Sequence, residues 1–95
     1  FIPKNISIRQ NYPNPFNPET KFEYALDRPG YISLKIYDIL GREIKTLYDG
    51  YQLSGVHMEK WYGQGRDSRV VPSGIYFYQL KFGEHRITKK MVFDK

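Results

Sequence analysis

The sequence predicts an all-β fold, an antiparallel β-sandwich of about seven strands. Three observations carry that reading. Apolar and polar residues alternate at a period of two through several short runs. Gly, Pro, Asn and Asp interrupt those runs at intervals of about 8–12 residues. Helix signals are scarce: Ala occurs once, at Ala25, and no window holds a clean apolar period of 3.6.

A short first strand is expected at Ile6 to Arg9. The stretch Tyr12-Pro13-Asn14-Pro15-Phe16-Asn17-Pro18 follows as a rigid loop, because three prolines fix φ and bar regular pairing. Tyr12 and Phe16 are expected to pack that loop onto the sandwich. Thr20 to Leu26 alternates, with Phe22, Tyr24 and Leu26 on one face. Tyr31 to Tyr37 does so more cleanly, with Ile32, Leu34 and Ile36 inward, as a half-buried antiparallel strand requires. Asp38-Ile39-Leu40-Gly41 turns the chain. Glu43 to Tyr48 is the next strand. Its Ile44 and Leu47 stand three apart, which predicts a bulge or an irregular edge. Asp49-Gly50 reads as a turn and Ser54-Gly55 as the end of its loop.

Val56 to Tyr62 is the fifth strand, and Gly63 to Pro72 a polar loop. Gly74 to Phe82 places Tyr76, Tyr78, Leu80 and Phe82 on one face. Gly83-Glu84 suits a two-residue type II′ hairpin. His85 to Phe93 returns. Either phase of that last strand mixes charged with apolar residues; Ile87, Met91 and Phe93 are expected inward, with Lys89 reaching out at the rim and Arg86, Thr88 and Lys90 in solvent. Seven short strands with this turn spacing predict a sandwich of the immunoglobulin-like kind. Residues 1–95 are read as one domain, without internal repeat or low-complexity run.

Composition narrows the function classes. Ninety-five residues hold about one small domain, so a large enzyme with a separate substrate domain is not expected. Aromatics at 17% exceed what a disordered tail carries. The opening Phe1-Ile2-Pro3, without Met, is expected of a fragment or a processed piece of a larger protein. No run approaches the ~18 apolar residues of a transmembrane segment, and no signal segment opens the chain. With no Cys there are no disulfides, thiol nucleophiles or cysteine metal sites. The net charge of +5 allows an anionic partner.

Enzyme templates fail one by one. His57 and His85 are the only histidines, and neither sits in a paired-His metal spacing. The nucleophile elbow and the phosphate-binding loop are missing. Gly63-Gln64-Gly65 has the first two glycines of a dinucleotide fingerprint but lacks the third and the βαβ unit around it; it reads as a turn. His57, Glu59 and Trp61 share a strand face; the plain reading is a core Trp61 with His57 satisfied by a backbone carbonyl or Glu59. Tyr12, Phe16, Tyr48, Tyr51, Tyr62 and Phe77 would be the ring faces of a sugar platform, yet they are spread along the chain. Lys81, Arg86, Lys89, Lys90 and Lys95 gather near the C-terminus without a nucleic-acid-binding fingerprint, so no nucleic acid partner is expected; a solvated face guarding a terminal strand accounts for them.

Two segments are more specific than composition. One is Gln10-Asn11-Tyr12-Pro13-Asn14-Pro15-Phe16-Asn17-Pro18-Glu19-Thr20. The other is Pro72-Ser73-Gly74-Ile75-Tyr76-Phe77-Tyr78-Gln79-Leu80, followed by the end Thr88-Lys89-Lys90-Met91-Val92-Phe93-Asp94-Lys95. Between them, Ile36 to Ile44 and the Trp61-Tyr62-Gly63 region fit the same pattern. Together they resemble the C-terminal sorting domain of proteins exported by the type IX secretion system, over nearly the whole chain. The Ig-like domain of flagellar hook-capping proteins is similar too. The Asn- and Pro-rich opening and the Lys-Lys-Met ending favour the sorting family.

That resemblance implies a non-catalytic address, without cofactor, at the end of a larger secreted host protein. Its implied partners are the covalently linked upstream host domain and the type IX secretion machinery: an outer-membrane translocon and a sortase-like peptidase that in many members removes the domain. The implied destination is the cell surface or the medium, by way of the periplasm and outer membrane. The implied recognition residues are Pro13, Pro15, Gly74, Tyr76, Lys89, Lys90, Met91, Val92 and Lys95. Two positions depart from the family pattern. Tyr62 stands where a small or acidic residue is common, and Glu59 where an apolar one often stands. The competing reading is an Ig-like structural spacer, or a carbohydrate-binding or adhesive module, attached to an extracellular enzyme.

Overall fold

The computed structural model describes residues 6–95. Phe1 to Asn5, and with them the opening Phe1-Ile2-Pro3, lie outside the described residues. Seven strands form: β1 (Ile6–Ile8), β2 (Thr20–Leu26), β3 (Gly30–Tyr37), β4 (Glu43–Gln52), β5 (Gly55–Trp61), β6 (Gly74–Phe82) and β7 (His85–Phe93). They pair antiparallel in two sheets, β1-β2-β5 and β4-β3-β6-β7, which is the expected immunoglobulin-like sandwich.

The alternation of the sequence sets which side chains meet between the sheets. Phe22, Tyr24 and Leu26 of β2 face Leu34 and Ile36 of β3 and Tyr78 and Leu80 of β6, all buried. Each such side chain contributes about 1.5–3 kcal/mol on burial. Phe22 and Tyr78 meet edge to face at 4.7 Å between ring centroids. Trp61 is buried at the end of β5, and its Nε1–H donates to the Gln64 carbonyl at 2.8 Å.

β4 differs from its expected form in one respect. Asp49-Gly50 does not turn the chain: Asp49 lies opposite Ser33 and Gly50 opposite Ile32, and the strand runs on to Gln52. β3 already begins at Gly30, so its backbone groups are there to be paired, and pairing overrides local turn preference. The turn falls instead at Leu53-Ser54, closed by Gly55 at φ +116°. The irregularity expected of β4 is present twice. Register shifts at Leu34/Lys35 and Ile36/Tyr37 leave Leu47 and Ile44 as extra residues. Gly83-Glu84 links β6 to β7 tightly, with Phe82 paired to His85 and Gly83 at φ +61°.

Register also sorts the loops by end. β1 begins beside the end of β2, Ile6 opposite Leu26, and this lower end also holds the β2–β3, β4–β5 and β6–β7 links. The upper end holds the Arg9–Glu19 loop, the Asp38–Arg42 turn, the Tyr62–Ser73 loop and the last residues of the chain. All the segments that resemble the sorting family therefore reach one end of the sandwich.

Candidate functional site

The Arg9–Glu19 loop is held first by a buried polar network. Tyr12 pairs with Lys21 through both backbone bonds, Tyr12 N–H to Lys21 O at 3.0 Å and Lys21 N–H to Tyr12 O at 2.9 Å. Asn11 is only 2% exposed. Its backbone N–H donates to the Tyr78 hydroxyl at 3.0 Å, and that hydroxyl donates onward to the Arg9 carbonyl at 3.0 Å. The Asn11 amide donates to Thr20 Oγ1 (3.0 Å) and the Pro13 carbonyl (3.2 Å), while Thr20 Oγ1 donates to that same carbonyl at 2.8 Å. Burial pushes the Tyr78 phenol above its ordinary range, so it stays a neutral donor and acceptor. A buried network in which each group is matched specifies one arrangement.

The loop then lies along the outer edge of β7. Gln10 Nε2 donates to Asn11 Oδ1 (2.7 Å) and across to the Lys90 carbonyl (2.8 Å). Asn14 Oδ1 accepts the Val92 N–H at 2.9 Å. Phe16 N–H donates to the Val92 carbonyl at 3.2 Å, and Asp94 N–H to the Phe16 carbonyl at 3.1 Å. The Phe16 ring stacks on Phe93 at 4.8 Å and tilts against Trp61 at 5.6 Å. Trp61 in turn meets Tyr76 at 5.7 Å, and the Tyr76 hydroxyl donates to the Pro72 carbonyl at 2.6 Å. Gly63 completes the packing: a Cβ there would lie 2.5 Å from the Phe93 ring, at φ +72°. The opening and closing motifs, separated by the length of the chain, form one bonded unit.

The residues implied by the sorting resemblance fall into two groups. Pro13, Pro15, Lys90 and Lys95 are exposed. Tyr76 and Met91 are buried, at 6% and 0%, while Gly74, Lys89 and Val92 are half-buried. The peptide bonds before Pro13, Pro15 and Pro18 are cis. The expected phase of β7 is the observed one, with Met91 and Phe93 inward and Arg86, Thr88 and Lys90 exposed. The expected packing of Tyr12 is corrected: its ring is 79% exposed, and of the two rings Phe16 alone packs the loop onto the sandwich. The reason is parity. Tyr12 pairs with Lys21, an outward position of β2, and takes the outward face with it. Gln10, Asn11, Asn14 and Thr20 were not singled out, although the density of Asn and Gln around the prolines is the signal that marks backbone-binding side chains.

The other candidate constellations do not assemble. His57 lies 2.7 Å from the Leu53 carbonyl through Nε2, as the plain reading has it. Glu59 faces inward half-buried, and desolvation raises its carboxyl above the ordinary range, opposed by His57. Among the described residues no three metal-ligating side chains come together. Phe16 is buried and Tyr51 sits at the lower end, away from Tyr12 and Tyr62, so the aromatic residues form no single platform. No helix is long and apolar enough to cross a membrane.

Comparison with known proteins places this arrangement. The family described as the secretion system C-terminal sorting domain matches residues 10–94. In dimeric latent PorU from Porphyromonas gingivalis, a similar fold covers 98% of this chain and 10% of that one, at a TM-score of 0.74 and 20% identity. In PorZ, an essential surface component of the type IX secretion system of the same organism, the match covers 95% and 11%, at 0.60 and 23% identity. At these identities the likeness is one of fold, and the chain spans about a tenth of either protein. No curated protein sequence matches significantly. With the family pattern running from Gln10 to Asp94, the chain belongs to the secretion system C-terminal sorting domains, a family of non-catalytic signals for type IX export.

Proposed function

We propose that residues 1–95 are a single domain that ends a larger host protein, and that the domain is the part by which the host is sent through the outer membrane. The host crosses the periplasm, the type IX translocon engages the domain, and a sortase-like peptidase then removes it. The host is left at the surface or in the medium, and the domain itself catalyses nothing. One observation carries the reading most: the two family motifs are hydrogen-bonded to each other at Gln10–Lys90 and Asn14–Val92. A signal that must be read only on a finished protein is well served by a motif that exists only when both ends of the domain have folded together.

On this reading the implied residues divide their work. Tyr76 and Met91 hold the scaffold, and Gly74 starts β6 where the chain leaves the Tyr62–Ser73 loop. Lys89 and Val92 line the rim, and Pro13, Pro15, Lys90 and Lys95 are the groups that a receptor touches. The test uses a full-length host in an organism with a working type IX system, assayed in periplasm, surface and medium. Removing residues 10–95 is expected to leave the host's own activity intact and trap it in the periplasm. Lys90→Glu with Lys95→Glu is expected to impair export while stability changes by no more than about 0.5 kcal/mol. Normal delivery of a host lacking the domain would leave the spacer reading in its place.

A further inference from the structure

We infer that the lower half of the outer edge of β7, Arg86 to Lys89, is a docking strip for an extended, acidic strand of a partner protein; this deepens the sorting reading and rests on it. β7 is the last strand of its sheet. Lys90 and Val92 turn their backbone groups away from β6, because Gln10, Asn14 and Phe16 bond them there. By the period of two, Arg86 and Thr88 turn theirs the same way. The loop stops short of them, and among the described residues no backbone hydrogen bond takes these groups. The edge is therefore open to strand addition along its lower half alone, and the upper half is already occupied.

The side chains state the chemistry of the occupant. Arg86 stands directly opposite Lys81 on the outer face, a like-charge pair that weakens a sheet. Lys90 follows on the same face. Among the described residues no carboxylate lies within ion-pair distance of Lys81, Arg86 or Lys90. The nearby carboxylates leave that charge standing: among the described residues Glu84, in the β6–β7 turn beside the strip, makes no ion pair with Lys81 or Arg86, Glu43 holds Lys35 and Arg66, and Asp49 lies on β4 opposite Ser33, two strands from Lys81. On the inner face the strip offers Ile87, half-buried against the core. A strand added here would place an acidic residue beside Arg86, facing the charges of Lys81 and Lys90, and an apolar residue beside Ile87. Backbone bonds to Arg86 and Thr88 supply attachment, and the alternate side chains supply selection. A lipid headgroup would use the cations and leave those N–H and C=O groups unmatched, which favours a protein strand.

The test is a nuclear magnetic resonance titration of the whole chain with a short capped peptide alternating Glu and Val, at concentrations up to millimolar. The Glu-Val peptide is expected to shift and protect the Arg86 and Thr88 amides, to weaken with added salt, and to bind about tenfold more weakly to a Lys81→Gln, Arg86→Gln variant of unchanged melting temperature. A Lys-Val peptide, and a Glu-Val peptide N-methylated at its pairing amides, are expected not to bind. Absence of binding, or binding without protection at Arg86 and Thr88, overturns the proposal. So does equal protection by anionic phospholipid vesicles, which assigns the strip to a membrane surface, or protection that rises with protein concentration alone, which assigns it to a second copy. Export separates the levels. Normal delivery of a host carrying a folded Lys81→Glu, Arg86→Glu domain overturns the strip's role and leaves the sorting reading standing, whereas normal delivery after removal of residues 10–95 overturns the sorting reading itself.

Discussion

The two long sides of the sandwich are guarded by opposite means. On the side of β1 and β7, a loop from the start of the chain covers the upper half of the β7 edge. It is fastened by Phe16 against Phe93 and Trp61 and by the buried Asn11–Thr20–Tyr78 network. On the side of β4 and β5 no loop intervenes among the described residues. There the strand edge is broken by two bulges, and polar groups fill the gap: Gln52 Nε2 donates to the Tyr24 hydroxyl at 3.3 Å, His57 leans on Tyr24, and Glu59 faces in. Where each device acts, it keeps the strand edge from pairing with a stranger. The difference is range. The β4–β5 side is settled by residues about thirty positions apart, whereas the β1–β7 side depends on residues about eighty positions apart.

If that contrast is right, the largest loss comes from the anchor of the covered side. Phe16→Ala should destabilise by about 3–5 kcal/mol. It should also speed amide exchange at Val92 and Asp94 before it affects β4. Exchange that stays slow at both amides would mean the loop is held without its ring. Asn11→Ala leaves Thr20 and Gln10 short of partners and should lose about 1–3 kcal/mol in a denaturant titration. A loss below that range would mean the network is dispensable. A smaller pair of substitutions compares the sides directly. Asn14→Ala removes one bond to β7 and should lose about 0.5–1.5 kcal/mol, little altered by salt. Glu43→Ala removes the exposed contacts to Lys35, Arg66 and Thr46 beside β4. Its loss should stay within about 1 kcal/mol and shrink as salt is added. Equal salt dependence would erase the distinction.

The smallest effect is a gain. Burial holds the Glu59 carboxyl above its ordinary range, so the folded state favours the neutral acid and carries a penalty when the group is charged. Glu59→Gln should therefore raise the melting temperature at neutral pH. The gain should fade as pH drops through the raised value and vanish below the ordinary carboxylate range. A gain that persists at low pH would assign the effect to packing rather than to charge.

How much of this was legible beforehand follows the same division of range. Strand positions, the inward set Phe22, Tyr24, Leu34, Ile36, Tyr78 and Leu80 and the irregular β4 rest on period two, a property of neighbours, whereas period two leaves the phase of β7 open because either phase mixes charged with apolar residues. Asp49-Gly50 was misread because a turn preference is local while the partner that overrode it, β3, is not. Tyr12 was misread because its face is set by pairing with Lys21. The junction of loop and last strand was beyond reach in residue detail. Nothing in Gln10 or Asn14 says that its amide will meet Lys90 or Val92 until both sheets are in place. The resemblance to the sorting family brought both segments to notice, and folding supplies the reason they belong together.

The direction of the first and last strands has a mechanical consequence. β1 and β7 both run from the lower end to the upper, so Ile6 stands at the lower end of its strand while Asp94-Lys95 leaves at the upper. Traction between Ile6 and Lys95 would thus drag β1 along β2 and β7 along β6 in opposite senses. The ladder from Phe82↔His85 to Gly74↔Phe93 would be loaded all at once rather than opened rung by rung, with the Phe16 bonds to Val92 and Asp94 sharing the strain. Resistance to pulling is set by the barrier to unfolding rather than by the modest net stability expected of so small a core. A motor that tugs on the tail of this domain would tow it as a solid body, along with anything attached ahead of it, sooner than it would unravel the strand in its grip.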